Sequence, residues 1–238
     1  MPSAFSENRS VSTEKNIGYY DEIAINYDTI LDQETSNEIV RKRVEEKFTN
    51  LVQSGYILDF GGGTGRDLGW LIKNNYQVIF CEPSEQMRKK AIDQSNTNPG
   101  INNITFLKND QIDFTNWHFN PPFSVKLDAI LSNFAVINCI SDIELLFKNL
   151  ALFLKPGGHL LALMLNNNYK KSRLQQARNY IRRLISGRPS IINIRYNDHK
   201  QTVYVYSAKE IVSASKANFN LSSSEPLFEF TLFHFIKK

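Results

Sequence analysis

Residues 56–67 read Tyr56-Ile57-Leu58-Asp59-Phe60-Gly61-Gly62-Gly63-Thr64-Gly65-Arg66-Asp67. The first five, apolar apart from Asp59, make a short strand, and a glycine cluster follows at once. Glycines in that place let the backbone turn sharply and come close to a ligand. A helix is predicted from about Arg66, and its N-terminal N–H groups favour an anion or an acceptor. Gln77–Cys81 reads as a second strand, and Glu82 closes it, 21 residues after Gly61. A carboxylate there can take both hydroxyls of a ribose, which fits any adenosine-containing ligand at the switch point of an open sheet. In a dinucleotide fingerprint starting at Gly61, the third glycine falls at position 66, which is Arg, so a nicotinamide ligand is disfavoured. A P-loop is excluded, because Gly-Lys-Ser/Thr is absent.

The alternation continues outward. Helices are predicted over 66–73 and 85–93, the second opened by Pro83 and Ser84, and strands over 104–107, 127–131 and 159–165. Ser141 and Glu144 have capping-box spacing for a helix to Leu154, which Lys155-Pro156-Gly157-Gly158 stops. Short apolar strands alternating with helices argue an α/β fold with a parallel sheet covered on both faces. Ser207 and Glu210 cap a further helix to about Asn218, and strands follow at 219–222 and 227–236. Upstream, Ile17, Tyr20, Ile23, Ala24, Tyr27 and Ile30 recur near helical spacing, and 35–54 is an amphipathic helix. Residues 1–16 read as a flexible tail. Residues 166–200 form an insertion after the fifth strand. It has a helical stripe (Leu174, Ala177, Ile181, Leu184, Ile185), then a hairpin of 191–196 and 201–206.

The chain has 238 residues, 42% apolar and 22% charged, enough for one α/β domain. That composition excludes a disordered, collagenous or coiled-coil chain. No apolar run reaches the ~20 residues of a membrane span. The polar N-terminus lacks the apolar segment of a secretory signal, so a cytoplasmic location is expected. Cys81 and Cys139 sit in apolar stretches without ligand spacing and read as reduced core residues. The net charge of +4 is uneven. Residues 166–200 hold nine basic residues and one acidic, leaving 19 basic and 23 acidic elsewhere.

Four stretches carry a family resemblance: 57–67 (ILDFGGGTGRD), Glu82-Pro83-Ser84-Glu85-Gln86-Met87, Asn109-Asp110-Gln111, and the run from LDAILSNFAVINCISD through FLKPGGHL. They resemble the class I S-adenosylmethionine-dependent methyltransferases, and among those the small-molecule branch that includes ubiquinone-biosynthesis-like enzymes. The likeness covers 17–165 and, more loosely, 201–238, with the insertion outside it. It implies a Rossmann-like sheet of seven strands, mostly parallel, an enzyme, and S-adenosylmethionine as cofactor. On this resemblance Asp59 and the backbone of Gly61, Gly63 and Gly65 hold the methionine part, and Glu82 binds the ribose. Pro83 shapes the turn, Met87 packs on the adenine, and Asp110 accepts from the adenine amino group, flanked by Asn109 and Gln111. Ser132, Asn133 and Phe134 sit near methyl transfer. Tyr20 and Tyr27 lie in a stretch similar to the family's Phe-Asp-x-x-Ala-x-x-Tyr-Asp lid helix and close over the cofactor.

Asn120-Pro121-Pro122-Phe123 spells a motif of nitrogen methyltransferases, but it precedes the fourth strand instead of following it, and reads as a stiffened loop. Methyl transfer from a sulfonium is an in-line displacement with a good leaving group, so positioning and desolvation can supply most of the catalysis. A base is needed only for a hydroxyl or a protonated amine. His118 and His199 are the candidates, while His159 and His234 read as structural. No metal set is visible. Lys170, Lys171, Arg173, Arg178, Arg182, Arg183, Arg188, Arg195 and Lys200 fit an anionic or carrier-bound small molecule, or equally a solvated basic face. The resulting expectation is methyl transfer to an oxygen or nitrogen of a small, anionic metabolite. The alternatives are an RNA-modifying enzyme steered by the insertion, with Tyr169, Tyr180 and Tyr196 stacking on bases, and a non-catalytic cofactor-binding module. Oligomeric state leaves no mark in the sequence.

Overall fold

Strand β1 (Tyr56–Phe60) lies inside a seven-stranded sheet. A computed structural model describes residues 4–96, 100–166 and 189–238. The other strands of the sheet are β2 (Gln77–Cys81), β3 (Ile104–Phe106), β4 (Leu127–Ser132), β5 (Leu154–Leu165), β8 (Phe219–Leu227) and β9 (Phe230–Lys237). Their order is β3-β2-β1-β4-β5-β9-β8, parallel through β5, with β9 antiparallel to both neighbours. From β1 the chain winds outward through β2 and β3, then returns to start again at β4. The carboxyl ends of β1 and β4 therefore flank a switch point, where open α/β sheets bind ligands.

Each parallel strand is apolar on both faces because both are covered. Ile57, Val78, Ala129 and Leu161 face Val40, Val44 and Phe48 of helix α3 (Thr35–Leu51), with Leu68 and Leu71 of α4 (Leu68–Lys73) and Ala91 of α5 (Glu85–Ser95). Leu58, Ile79, Ile130 and Leu160 face Leu146, Phe147 and Leu150 of α6 (Ile143–Phe153) and Ile211 of α7 (Ala208–Ser215). Fully burying each such side chain stabilises by roughly 1.5–3 kcal/mol.

Several boundaries differ from those expected. Helix α1 runs from Ala4 to Ile23, so it takes in residues 4–16 of the stretch read as a tail. Asn16 is buried, and its amide reaches Cys139 O and both backbone groups of Thr202, which holds that end of the helix down. A 3₁₀ turn (Ala24–Asn26) then separates α1 from α2 (Tyr27–Asp32). Helix α6 is capped by Asp142, whose carboxylate accepts from Leu145 N–H at 3.0 Å, and not by the expected Ser141. The nearer carboxylate is the stronger acceptor at a helix N-terminus. The Lys155–Gly158 stretch opens β5 with a register shift. The capping box of Ser207 and Glu210 is as expected.

Strands β6 (Ser190–Tyr196) and β7 (His199–Val205) form a separate two-stranded hairpin. Asn197 adopts φ +50° in its turn, a conformation Asn tolerates. The hairpin extends past residue 200, where the insertion was expected to end. The helical stripe of residues 174–185 and the cations from Lys170 to Arg188 lie outside the described residues.

Candidate active site

The loop after β1 is tied to β2 by its backbone. Gly61, at φ +76°, donates to Cys81 O at 2.7 Å. A Cβ on it would stand 2.3 Å from Val136 Cγ1, so this approach needs glycine. Gly63 N–H donates to Glu82 Oε2 at 2.9 Å, and Ser84 N–H to Oε1 at 2.8 Å. Glu82 is buried, and burial raises its pKa to about 7 against the pull of those two N–H groups. Asp59 is buried too. Burial, together with the neighbouring Asp67, pushes its carboxyl well above the usual range, and its Oδ2 has no hydrogen bond. Ser132 Oγ, at the end of β4, is likewise buried without a partner.

These features fit S-adenosylmethionine. An unpartnered buried carboxylate suits the ammonium of the methionine part, and a glycine backbone allows close contact. A carboxylate at the end of β2 suits ribose hydroxyls.

Helices α1 and α2 cover this loop through two aspartates. Asp21 Oδ1 accepts from Ser84 Oγ at 2.6 Å and from Gln86 N–H at 3.1 Å, at the start of α5. Asp28 accepts from Thr64 Oγ1 at 2.6 Å and pairs with Lys90 at 2.8 Å. Burial pushes Asp28 up, but the bonds from Lys90 and Thr64 outweigh it and hold the carboxyl below its ordinary value. Arg66 donates to Asp32 at 2.6 Å, which gives the residue that broke the dinucleotide fingerprint a role in the lid. Tyr20 and Tyr27 meet edge to face, 6.2 Å between ring centres. Burial raises both phenols, so both stay protonated at neutral pH. Met87 is fully buried with Tyr19, Ile23 and Ala24 beneath the lid.

After β4 the backbone is left-handed at Phe134 (φ +49°) and Ala135 (φ +64°). Such residues cost about 1–3 kcal/mol each and persist where the surroundings over-determine them. Here Ala135 N–H donates to Leu163 O at 2.9 Å, and the Arg41 guanidinium lies 4.4 Å from the centre of the Phe134 ring. Arg41, Trp70 Nε1 and Asn133 all donate to the buried Asp67 carboxylate, at 2.6, 3.0 and 2.9 Å. Asp67 thus joins the glycine motif, α3 and the loop after β4. Sequence reasoning quoted Asp67 without giving it a role and missed Arg41. The one available signal was that Arg41 adjoins the buried stripe Val40-Val44-Phe48.

Beside the lid lies a cavity of about 330 Å³. Its walls include Tyr20, Tyr27, Phe134, Ile194, Gln201 and Val203. Asp59, Glu82 and the glycine loop stand behind Tyr20, Tyr27 and Phe134 and do not line it. Pro83 is exposed beside Glu82. Asn109 accepts from Arg88, and Asp110 is exposed in the turn after β3. The Gln111 amide is engaged within its own loop, with Oε1 accepting from Lys108 N–H and Nε2 donating to Pro122 O.

The two histidine candidates do not join this site. His118 is exposed in the loop before β4 and lines a separate groove with Trp117, Phe123 and Phe153, whose wall shares no residue with the glycine loop. His199 is exposed at the outer end of β7, with Nε2 3.9 Å from Glu22 of α1. Cys139 is not the plain core residue expected, because its sulfur meets Tyr20 and Gln201 beside the cavity. Among the described residues no group of three or more His, Cys, Asp or Glu could hold a metal ion, and no helix is long and apolar enough to cross a membrane.

A mostly parallel sheet with a glycine loop after β1, an acid after β2 and a covering N-terminal lid defines the Rossmann-like fold of class I methyltransferases. A family model described as a methyltransferase domain matches residues 33–223, and the chain belongs to that family. No curated protein matches it. The 1,6-didemethyltoxoflavin-N1-methyltransferase of Burkholderia thailandensis is similar in structure, with a TM-score of 0.69 at 11% identity over 97% of this chain and 90% of that one. DhpI, solved in a DhpI-SAM-HEP complex, gives 0.66 at 17% identity, over 94% and 97%. The glycopeptide N-methyltransferase MtfA, solved with S-adenosyl-L-methionine, gives 0.61 at 14%, over 83% and 87%. At these identities the likeness is one of fold.

Proposed function

We propose that the protein transfers the methyl group of S-adenosylmethionine, by in-line displacement, to an oxygen or nitrogen of a small organic molecule. The observation that carries this reading is the cavity of about 330 Å³ walled by Tyr20, Tyr27, Phe134 and the hairpin, with Tyr27 in turn beside Gly63 of the glycine loop. Its size is that of a small-molecule site. Similar folds with small-molecule acceptors, such as 1,6-didemethyltoxoflavin, agree with it.

Bound there, S-adenosylmethionine supplies an electrophilic methyl carbon on a good leaving group. Asp59 would hold the amino end, Glu82 the ribose hydroxyls, and the N–H groups of the loop the intervening chain. Tyr20, Tyr27 and Phe134 close the space between cofactor and acceptor and exclude water. With neither histidine candidate in the site, positioning supplies most of the rate.

Among the described residues lining the cavity, the charged ones are Glu34 and Glu229. Arg195 and Lys200, which pair across the hairpin, are exposed. The anionic substrate class therefore gains no support from the described walls. Apolar residues such as Ile30, Leu31, Leu165 and Phe230 favour a molecule with a substantial apolar body.

Calorimetry with S-adenosylhomocysteine tests the reading. The intact protein should bind it, and Asp59→Ala and Glu82→Ala should weaken the binding. Absence of binding by the intact protein would sink the proposal.

A further inference from the structure

Strand β7 turns Gln201, Val203 and Val205 inward, all buried. Gln201 is the polar member of that row and lines the cavity near Val203 and Ile194. Its Nε2 donates to Tyr20 Oη at 2.6 Å and lies 3.3 Å from Cys139 Sγ. The Tyr20 hydroxyl, accepting from Gln201, keeps its own proton for the Cys139 sulfur at 3.5 Å. Two side chains, from α1 and the turn after β4, thus fix the β7 amide. With Nε2 held in this way, Oε1 is the part of the amide left to meet what enters the cavity that Gln201 lines. A polar acceptor in a largely apolar wall fixes the orientation of a ligand by taking its N–H or O–H.

We propose that Gln201 is a substrate-contacting residue whose Oε1 accepts a hydrogen bond from the N–H or O–H of the atom that receives the methyl group. The assignment rests on the methyltransferase reading of the cavity. It narrows the acceptor to an amine, amide nitrogen or hydroxyl, and disfavours carboxylates and tertiary amines, which bring no donor. The acceptor's lone pair forms the new bond to the methyl carbon while the carbon–sulfur pair returns to sulfur. An amide oxygen is too weak a base to keep the acceptor's proton, which passes to water after transfer. Tyr20 and Cys139 act through the amide as positioning residues.

Sinefungin tests this without a known substrate, because an amine-bearing carbon replaces the sulfonium methyl and sends an ammonium toward the acceptor's place. The intact protein should bind sinefungin about tenfold more tightly than S-adenosylhomocysteine, as expected for one charge-assisted hydrogen bond. Gln201→Leu should abolish the preference and leave S-adenosylhomocysteine affinity within about twofold. Gln201→Glu, a second variant in case the first fails to fold, should enlarge the preference by adding a charge. Thermal melts check that each variant is folded. Equal binding of the two ligands by the intact protein, a preference that survives Gln201→Leu, or one that Gln201→Glu does not enlarge, overturns the proposal. Failure of the intact protein to bind S-adenosylhomocysteine overturns the methyltransferase reading beneath it.

Discussion

Glu82 receives its two N–H groups from Gly63 and Ser84, close by in the sequence, whereas Gln201 meets Tyr20 and Cys139, 181 and 62 positions away. The proposed cofactor side of the site is one contiguous stretch, residues 59–84, where Gly61, Gly63 and Ser84 make their contacts through backbone N–H groups. The cavity side is assembled from α1, α2, the loop after β4, the hairpin and β9, and its contacts are rings and amides. Backbone contacts survive most substitutions, so the grip on a common cofactor is insensitive to side-chain change outside a few positions. The cavity walls can be rewritten by one substitution on any of several elements. A fold divided in this way can keep its chemistry and change its substrate.

Asp67 lies under both sides and should give the largest effect. Asp67→Ala leaves Arg41 without its carboxylate and frees Trp70 and Asn133, and should cost about 3 kcal/mol or more in urea denaturation. A loss under about 1 kcal/mol would mean that the two sides are not joined there.

Next is Glu82→Ala, expected to weaken S-adenosylhomocysteine roughly 100-fold in calorimetry through two lost hydrogen bonds to a charged group. The pH dependence sharpens this. Ribose hydroxyls donate to the carboxylate, and Glu82 titrates near 7 in the free protein. Affinity should be full above that pH and fall about tenfold per unit below it, and Glu82→Gln should flatten the profile. The sign for stability is opposite. The folded carboxyl holds its proton longer than the unfolded one, so Glu82 costs stability as pH rises from 4.5 through about 7.

Asp28→Ala removes the lid's contacts to Thr64 and Lys90 and should raise the dissociation rate of S-adenosylhomocysteine about five- to tenfold in stopped-flow fluorescence. The smallest effect belongs to the outer face of the hairpin. Reversing Arg195 and Lys200 to Glu should change that ligand's affinity less than about twofold at 0.15 M salt, and a larger change would put those cations inside the site.

The same division explains what could be read from the sequence. Strands β1 and β2 were legible to the residue, because each is a short apolar run bounded by turn signals. Glu82 could be picked out from its position at the end of the second strand, whereas the roles expected of Asp59, Gly61 and Gly63 came from the family resemblance. Helical spacing marked residues 17–31, and only the family resemblance made Tyr20 and Tyr27 part of a lid. Its two aspartates look like ordinary surface acids until α5 and Thr64 are brought beside them. Arg41 sits on a charged helix and resembles any solvated arginine, and its partner is 26 positions away. Gln201 is one polar residue in a short strand whose inner face only folding reveals. His118 and His199 were chosen for their imidazoles and their places in loops, and both are exposed and absent from the cavity wall. The anionic expectation followed from counting charge along 166–200, which cannot tell a strand's outer face from its inner one.

One contact described above also provides a clock. Asn16 Oδ1 accepts the Thr202 N–H at 2.7 Å, while its amide nitrogen donates to Thr202 O and Cys139 O. The Thr202 amide hydrogen can then reach solvent only when α1 lifts from the hairpin, which is also how the roof over the methyl-transfer site would open. Its deuterium exchange rate therefore reports how readily α1 parts from the hairpin, and slowing of that single amide on ligand addition would show that the ligand holds the two together.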